Sequence, residues 1–311
     1  MLLTGAQIII KALIEQGVDV VFGYPGGYVI NIYDELYKNS DKITHYTTCH
    51  EQGACHAADG YARVTGKPGV VIATSGPGAT NLVTGIANAY LDSVPLVAIT
   101  GNVPTHMLGR DSFQEVDISG VTMPITKHNY LVKDVGRLAD TFREAFELAR
   151  SGRPGPVLID IPKDVQLGTA EYAPAPPQPA GKTGCRPEPE ALETAASLIA
   201  EAKRPYIYCG GGVINANASG VLLEFADRID APIGLSIMGL TAVPYSHPRF
   251  LGMVGMHGRY GATKALYECD LLIAVGVRFS DRATGNKAEF MKNRKVIQID
   301  IDPADINKNI G

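Results

Sequence analysis

The sequence contains no run of basic residues and no apolar stretch long enough to cross a bilayer. With a net charge of −4, the first absence argues against a nucleic-acid partner. The second leaves no candidate transmembrane helix, so no membrane partner is expected. Cysteine is sparse and odd in number: Cys49, Cys55, Cys185, Cys209 and Cys269 are scattered, which reads as reduced thiols. The pairs Cys49-His50 and Cys55-His56 match no zinc-ligand spacing. There is no Walker motif, no Gly-x-Ser-x-Gly elbow, and Gly210-Gly211-Gly212-Val213-Ile214 departs from the dinucleotide fingerprint. The seven histidines form no recognisable metal or triad set. The first residues, Met1 to Gln7, lack a basic leader, and Thr4 with Gln7 fits a helix capping box. A cytoplasmic location is therefore expected.

What is present is ordinary globular composition: 311 residues, 45% hydrophobic and 19% charged, enough for two domains with their own cores. Short apolar runs alternate with helical patterns. Strands are expected at 18–22, 43–47, 69–74, 94–100 and 155–163, with helices at 4–16, 28–38, after 51 and at 136–151. This is the pattern of a parallel sheet covered on both faces. A Pro-rich segment, 164–187, reads as a linker. Alternation resumes in 188–311, with strands at 205–209, 232–235, 270–275 and 295–300 and helices at 188–202, 218–229 and 259–267. The fold class is α/β, with two open parallel-sheet domains, 1–163 and 188–311. The end at Gly311 reads as a cut within or just after a domain.

The chain is organised around His50-Glu51-Gln52-Gly53-Ala54 and the following Cys55 to Arg63. A carboxylate stands at the start of a helix rich in small residues, which would let a neighbour pack close. Glu51 is either a favourable first-turn charge or a reactive acid. Glycines gather at strand ends in both domains: Gly26-Gly27, Ser75-Gly76-Pro77-Gly78, Gly210-Gly211-Gly212 and Gly276. Ligands of open parallel sheets bind beyond such ends, and glycine lets the backbone approach them closely.

Four runs occur in order: Phe22-Gly23-Tyr24-Pro25-Gly26-Gly27, His50-Glu51-Gln52, Ser75-Gly76-Pro77-Gly78-Ala79-Thr80-Asn81 and Phe113-Gln114-Glu115-Val116-Asp117. They resemble the pyrimidine-binding domain of thiamine-diphosphate enzymes. With Leu251 to Gly258, Asp270 to Arg282 and Ile299 to Pro303, they resemble the large catalytic subunit of acetolactate synthase (acetohydroxyacid synthase) over essentially the whole chain. The resemblance implies decarboxylation of pyruvate and its joining to a second 2-oxo acid. Pyruvate as acceptor gives 2-acetolactate, and 2-oxobutyrate gives 2-aceto-2-hydroxybutyrate, early in valine, leucine and isoleucine synthesis.

The resemblance also implies site roles. Glu51 would hydrogen-bond the aminopyrimidine N1′ of thiamine diphosphate and favour the ring form that takes up a proton. Pro25, Gly26, Ser75, Gly78 and Asn81 would contact that cofactor, and Gly27 would lie over the reacting centre. Gln114 would stand near the intermediate, Phe113 would line the acceptor pocket, and Lys163 would line the channel. Arg282 would clamp the acceptor carboxylate. Without the resemblance, the plainer readings are favoured for all three: Phe113 as core, Lys163 as a strand-end charge and Arg282 as a surface ion-pair partner. FAD, without a redox role, would be contacted by Arg153, Gly210, Gly211, Gly212, Ser236, Ile237, Met238, Met256, His257, Gly258, Gly276, Arg278, Arg282, Asp300 and Ile301.

Two positions depart from the family pattern. Tyr28 stands where a small residue usually follows the two glycines, and Asn102 in Gly101-Asn102-Val103-Pro104 replaces a glutamine. The Gly-Asp-Gly motif that holds Mg²⁺ and the diphosphate in the family's third domain does not occur in this chain. The resemblance thus implies half an active site, no turnover by residues 1–311 alone, a homodimer or homotetramer of the complete subunit, and a possible small regulatory subunit. Another carboligase or decarboxylase of the superfamily, or a stand-alone FAD-binding module, are the alternatives. Glyoxylate carboligases carry an apolar residue in place of Glu51.

Overall fold

The computed structural model describes residues 1–177 and 186–311. The chain divides into two compact units, Met1–Lys182 and Thr183–Gly311.

In the first unit the strands are β1 (Leu2–Thr4), β2 (Val20–Gly23), β3 (Thr44–Thr47), β4 (Gly69–Ala73), β5 (Leu96–Asn102), β6 (His128–Leu131), β7 (Pro156–Pro162) and β8 (Thr169–Glu171). Six of them form a sheet in the order β3-β2-β4-β5-β7-β6, with every neighbouring pair parallel. The central strands are apolar on both faces, as a doubly covered sheet requires. Val97, Ile99, Val157 and Ile159 turn to one side, against helices Gly5–Glu15, Ile30–Lys38 and Leu138–Arg150. Leu96, Ala98, Val71 and Leu158 turn to the other, against helices Glu51–Thr65 and Val83–Asp92. Each of the Val, Leu and Ile side chains among them contributes roughly 1.5–3 kcal/mol when fully buried. Thr4 closes the expected capping box with Gln7.

Two expectations need correction. The segment expected as linker from residue 164 begins inside the first unit. Lys163–Leu167 is a helix, and β8 pairs antiparallel with β1, Leu3 opposite Ala170. Apolar Val165 and Tyr172 are buried, so this stretch is bound to the core rather than solvated. The remainder of that linker falls partly on 178–185, outside the described residues. The small residues of the Glu51 helix let neighbours pack close only in part: Ala54, Ala58 and Ala62 are buried as expected. Gly53 and Gly60 face open space. The close contacts come from glycines on the neighbours: a Cβ at Gly69 would lie 2.1 Å from the Ala58 carbonyl oxygen, and one at Gly85 would lie 2.6 Å from Cys55.

The second unit holds β9 (Pro205–Cys209), β10 (Ile233–Leu235), β11 (Phe250–Met253), β12 (Leu271–Val275) and β13 (Lys295–Ile299), all parallel in the order β11-β10-β9-β12-β13. Its sheet is also covered on both faces. Ile207, Ile233 and Ile273 pack with Leu222 and Ala226 of helix Ser219–Arg228. Tyr206, Tyr208 and Leu272 pack with Ala262 and Leu266 of helix Tyr260–Glu268 and with Phe279 and Phe290. The expected α/β architecture of two open parallel sheets is what the chain adopts.

Candidate active site

Strand order reverses next to the first strand of each main sheet. In the first unit β3 and β4 flank β2, so the switch point lies between β2 and β4. Their carboxyl ends carry the Gly23 to Gly27 and Thr74 to Gly78 loops, where an open parallel sheet binds its ligand.

Thr74 holds these loops together. Its hydroxyl accepts from the Tyr28 amide at 3.3 Å. A Cβ at Gly26 would lie 2.5 Å from Thr74 Cβ, and a Cβ at Gly78 2.7 Å from Thr74 Cγ2. Only glycine fits at either place while Thr74 keeps its position. Sequence reasoning passed over this residue. A threonine ending a strand is ordinary, and the only signal was its place between two glycine loops.

Glu51 opens the helix Glu51–Thr65, with the His50 ring as N-cap accepting from the Gln52 amide at 3.1 Å. The helix start suits a carboxylate, because unpaired N–H groups and the helix dipole both favour negative charge there. Glu51 is only 9% exposed. Its Oε2 accepts from Asn81 Nδ2 at 2.9 Å, and its Oε1 lies 3.2 Å from where a Gly78 Cβ would stand. One oxygen is thus fixed by a neutral amide, and the other borders the glycine cradle. Burial, with the Glu51 charge adding to it, raises the pKa of the Tyr33 phenol, whose hydroxyl donates to the Ile72 carbonyl at 3.2 Å. The buried Ser75 hydroxyl has no partner among the described residues. A carboxylate beside a cradle that a Cβ would fill, with an orphaned hydroxyl next to it, fits a polar heteroaromatic ring with a basic nitrogen. Pro25 and Gly27 are exposed, and Gly27 borders open space.

Gln114 and Gly76 meet. A Cβ at Gly76 would lie 2.7 Å from the Gln114 carbonyl oxygen, and both residues have positive φ, 57° each. The loop carrying Gln114 is folded around Glu115, whose carboxylate accepts from the amides of Gly109, Arg110 and Ser112. Those backbone donors lower its pKa. Phe113 stands 77% exposed on this loop, which removes the reading of it as core.

Asn102 reaches a partner despite its shorter side chain. It donates to Asp160 Oδ2 at 2.5 Å, while Thr100 donates to Oδ1 at 2.7 Å. Burial pushes the Asp160 carboxyl up to about 7, against the lowering by these two donors, and Asp117 adds to the rise. Lys163 follows β7, and its ammonium stands 5.8 Å from the centre of the Tyr28 ring. Arg153 lies at the opposite end of the same sheet, where the chain enters β7, donating to Ser93 Oγ at 2.8 Å.

In the second unit the switch point lies between β9 and β12. Gly210 to Gly212 follow β9 and Gly276 follows β12. Gly276 has φ +57°, and a Cβ there would lie 2.7 Å from Gly212 Cα. The Gly212 amide donates to the Gly276 carbonyl at 3.1 Å. Met238 packs on Gly211, where a Cβ would stand 3.1 Å from Met238 Cβ, and the Ser236 amide donates to the Cys209 carbonyl at 2.9 Å. Two glycine loops thus press together at a switch point, the place where open parallel sheets bind ligands. Arg282 Nη1 approaches Met256 Sδ at 3.5 Å, and the Met256 amide donates to the Arg282 carbonyl at 2.8 Å. Phe279 is buried at φ 52°, a strained conformation for an aromatic residue, between Arg278 and Ser280. Gly258 turns back on Gly255, beside the exposed His257. Asp300 is half-buried, its carboxyl raised by burial, and Ile237 and Ile301 are exposed. The glycines, Ser236 and Met238 are brought together, and Met256 and Arg282 form a second contact.

No group of three or more His, Cys, Asp or Glu side chains able to hold a metal occurs among the described residues. No helix among them is long and apolar enough to cross a membrane.

These features define a class. Residues 3–121 match the thiamine pyrophosphate enzyme N-terminal TPP binding domain, and residues 192–311 match the thiamine pyrophosphate enzyme central domain. The chain belongs to the thiamine pyrophosphate enzymes. Within them it is similar to acetolactate synthase large subunits. It is 53% identical over 311 residues to the probable acetolactate synthase large subunit of Methanocaldococcus jannaschii, covering 98% of this chain and 52% of that protein. It is 52% identical over 315 residues to acetolactate synthase of Arthrospira platensis, covering 98% of this chain and 54% of that protein. The acetolactate synthase of Mycobacterium bovis is 52% identical over 309 residues, with 99% and 50% covered. The chain spans about half the length of these curated relatives.

Proposed function

We propose that this chain is the pyrimidine-binding and central part of an acetolactate synthase large subunit. The complete enzyme would decarboxylate pyruvate and join the two-carbon unit to a second 2-oxo acid, pyruvate or 2-oxobutyrate, in branched-chain amino acid synthesis. The observation that carries this is the Asn81-held Glu51 carboxylate beside the Gly26–Thr74–Gly78 cradle. Thiamine diphosphate, when bound, supplies the electron sink that decarboxylation of a 2-oxo acid needs.

Glu51 would hold a proton-bearing ring nitrogen. Asn81 fixes the carboxylate, so that little reorganisation is needed when the proton moves. Thr74 sets the spacing of the two glycine loops, and Gln114 is braced against Gly76 of the second of them. The carboxylate is only 9% exposed, and Ala54 and Ala58 of the same helix are buried in the core, which limits water at its side. The Gly210–Gly212 and Gly276 cradle, with Arg278, Arg282 and Met256 in the same unit, supports FAD as the second cofactor. Mg²⁺ and the diphosphate would be held by the remainder of the complete polypeptide, since this chain has no Gly-Asp-Gly. A homo-oligomer, a small regulatory subunit and a cytoplasmic location belong to the same reading.

The test is Glu51→Gln in the complete enzyme. Loss of proton transfer costs about 10²–10⁴-fold in rate, while flavin absorbance of the purified protein stays at the wild-type level. Undiminished acetolactate formation would remove Glu51 from this role.

A further inference from the structure

One short helix, Lys163–Leu167 after β7, fastens two of the site's loops. The first is 103–117, which leaves β5 and carries Phe113 and Gln114. Asp164, in the first turn of the helix, accepts the Thr105 amide at 3.0 Å through one carboxylate oxygen and the Thr105 hydroxyl through the other. An ionised acceptor makes these bonds stronger than neutral ones. Further along, the loop is tied to itself: the Ser112 hydroxyl donates to the Met107 carbonyl at 3.0 Å, and Glu115 gathers the amides of Gly109, Arg110 and Ser112. It is thus a closed unit, fastened at its start by Asp164 and pressed against Gly76 at Gln114. The second loop is Gly26 to Tyr28. Gln166 is fully buried, and its Nε2 donates to the Tyr28 carbonyl at 2.7 Å and to the Ile161 carbonyl at 2.9 Å. Two carbonyls around one nitrogen decide which way the amide is turned. Its Oε1 is buried with no partner among the described residues, which costs stability. The amide therefore does something that an apolar side chain could not: it ties the strand end at Ile161 to the loop after β2.

We propose that Asp164 and Gln166 are positioning residues: from one helix they hold the Gln114 loop and the Gly27 loop against the Thr74–Gly78 loop, so that the two-carbon unit meets the second 2-oxo acid in a joining geometry. This rests on the acetolactate synthase reading. After carbon dioxide leaves, that unit has two fates. It bonds to the second 2-oxo acid, or it takes up a proton and leaves as acetaldehyde. One acetolactate consumes two pyruvates and a proton, one acetaldehyde consumes one pyruvate and a proton, and either releases one carbon dioxide. Joining needs two carbon atoms held in line, where a displacement of about 1 Å can cost roughly 10²-fold. Release needs only a proton. A loosened loop therefore turns product toward acetaldehyde, whereas a general loss of folded enzyme lowers both products in proportion.

The test uses the complete enzyme and two readouts. The first is the ratio of acetaldehyde to acetohydroxy acid. Asp164→Ala and Gln166→Met each raise it by about 10-fold. Asp164→Asn keeps it, because the new amide oxygen accepts from the Thr105 amide and the new nitrogen donates to the Thr105 hydroxyl. Thr105→Val, which leaves the helix and Asp164 untouched, raises it by less than Asp164→Ala. The second readout, amide hydrogen exchange, needs no turnover. Asp164→Ala speeds exchange in 103–117 by about 10-fold and leaves 24–29 as in wild type, and Gln166→Met does the reverse. Strands β4 and β5 keep wild-type protection in all four variants. Unchanged exchange in 103–117 in Asp164→Ala or Thr105→Val, or a fall of both products in constant ratio, overturns the proposal. A wild-type enzyme that makes no acetohydroxy acid overturns the parent reading instead, and the exchange pattern still decides whether the helix fastens the loops.

Discussion

Asp160 allows a quantitative test of the strand ends that support the site. Its carboxyl is buried, accepts from Thr100 and Asn102, and is pushed by burial from the ordinary 3.8 to about 7. Between these values the folded chain keeps a proton that the unfolded chain has lost. Stability therefore falls as pH rises through this window and is flat above it. A rise of ~3 units at ~1.36 kcal/mol each gives a penalty of about 4 kcal/mol at pH 8 relative to pH 4 from this residue. Asp160→Asn removes the titration and keeps the geometry. Its amide can donate to the Thr100 hydroxyl, which can also accept, while its carbonyl receives the Asn102 amide. Urea unfolding followed by circular dichroism at pH 4, 5, 6, 7 and 8 would show near-equal stability at pH 4 and a gap that opens from pH 5 upward. By pH 8 the Asn variant would gain up to about 4 kcal/mol, a midpoint shift of roughly 1–2 M at ordinary denaturant slopes. A difference between the two proteins that does not change with pH would refute the assignment of a raised pKa to Asp160. A variant less stable at every pH would show that the charged form is well served by its two donors.

Two cradle substitutions extend the test to the glycine loops. Gly78→Ala would set a methyl group 2.7 Å from Thr74 Cγ2 and 3.2 Å from Glu51 Oε1. It should cost about 1–3 kcal/mol by overpacking and weaken thiamine-diphosphate binding of the complete enzyme by at least 10-fold in titration calorimetry; unchanged affinity would place the cofactor elsewhere. Gly276→Ala meets both a φ of +57° and the Gly212 backbone at 2.7 Å. The complete enzyme should then purify with little flavin absorbance but retain its far-ultraviolet spectrum, and full flavin content would refute the cradle.

What the sequence disclosed follows from burial. β9 was expected at Pro205–Cys209, where it is found, and β4, β5, β7 and β12 came within two residues at each end. All are doubly covered, so they read as unbroken apolar runs. The strands that escaped notice are edges or short pairs. β6, His128–Leu131, is polar because only one neighbour covers it, and β11 is likewise an edge. β1 and β8 are three residues each and are fixed by each other across the whole unit, with Leu2 opposite Glu171. No local pattern encodes such a partner. In the site, Glu51 and the glycine loops were legible because helix starts and strand ends leave marks. Thr74, Gln166 and the Asn81–Glu51 contact were not, since each depends on which loop folds against which.

The two units share one backbone device and differ in the side chains around it. Both press glycine backbones together at a switch point, and that feature alone does not distinguish their ligands. The side chains around the glycines do. In the first unit the ionised group at the cradle is the Glu51 carboxylate, held by a neutral amide. Such a site favours a ring nitrogen that gains positive character and disfavours a phosphate. In the second, Gly276 is followed by Arg278 and then Arg282, with a strained Phe279 fixing the turn between them. The Arg282 guanidinium reaches Met256 Sδ, and the half-buried Asp300 follows Ile299, whose carbonyl accepts from the Gly276 amide, so side chains of both charge signs occur near these loops. On the proposed reading the pyrimidine ring belongs to the first unit and the dinucleotide to the second. This reading also predicts the direction of failure: adding a negative charge at the second cradle should expel its ligand, whereas neutralising Glu51 should leave the second ligand bound while catalysis stops.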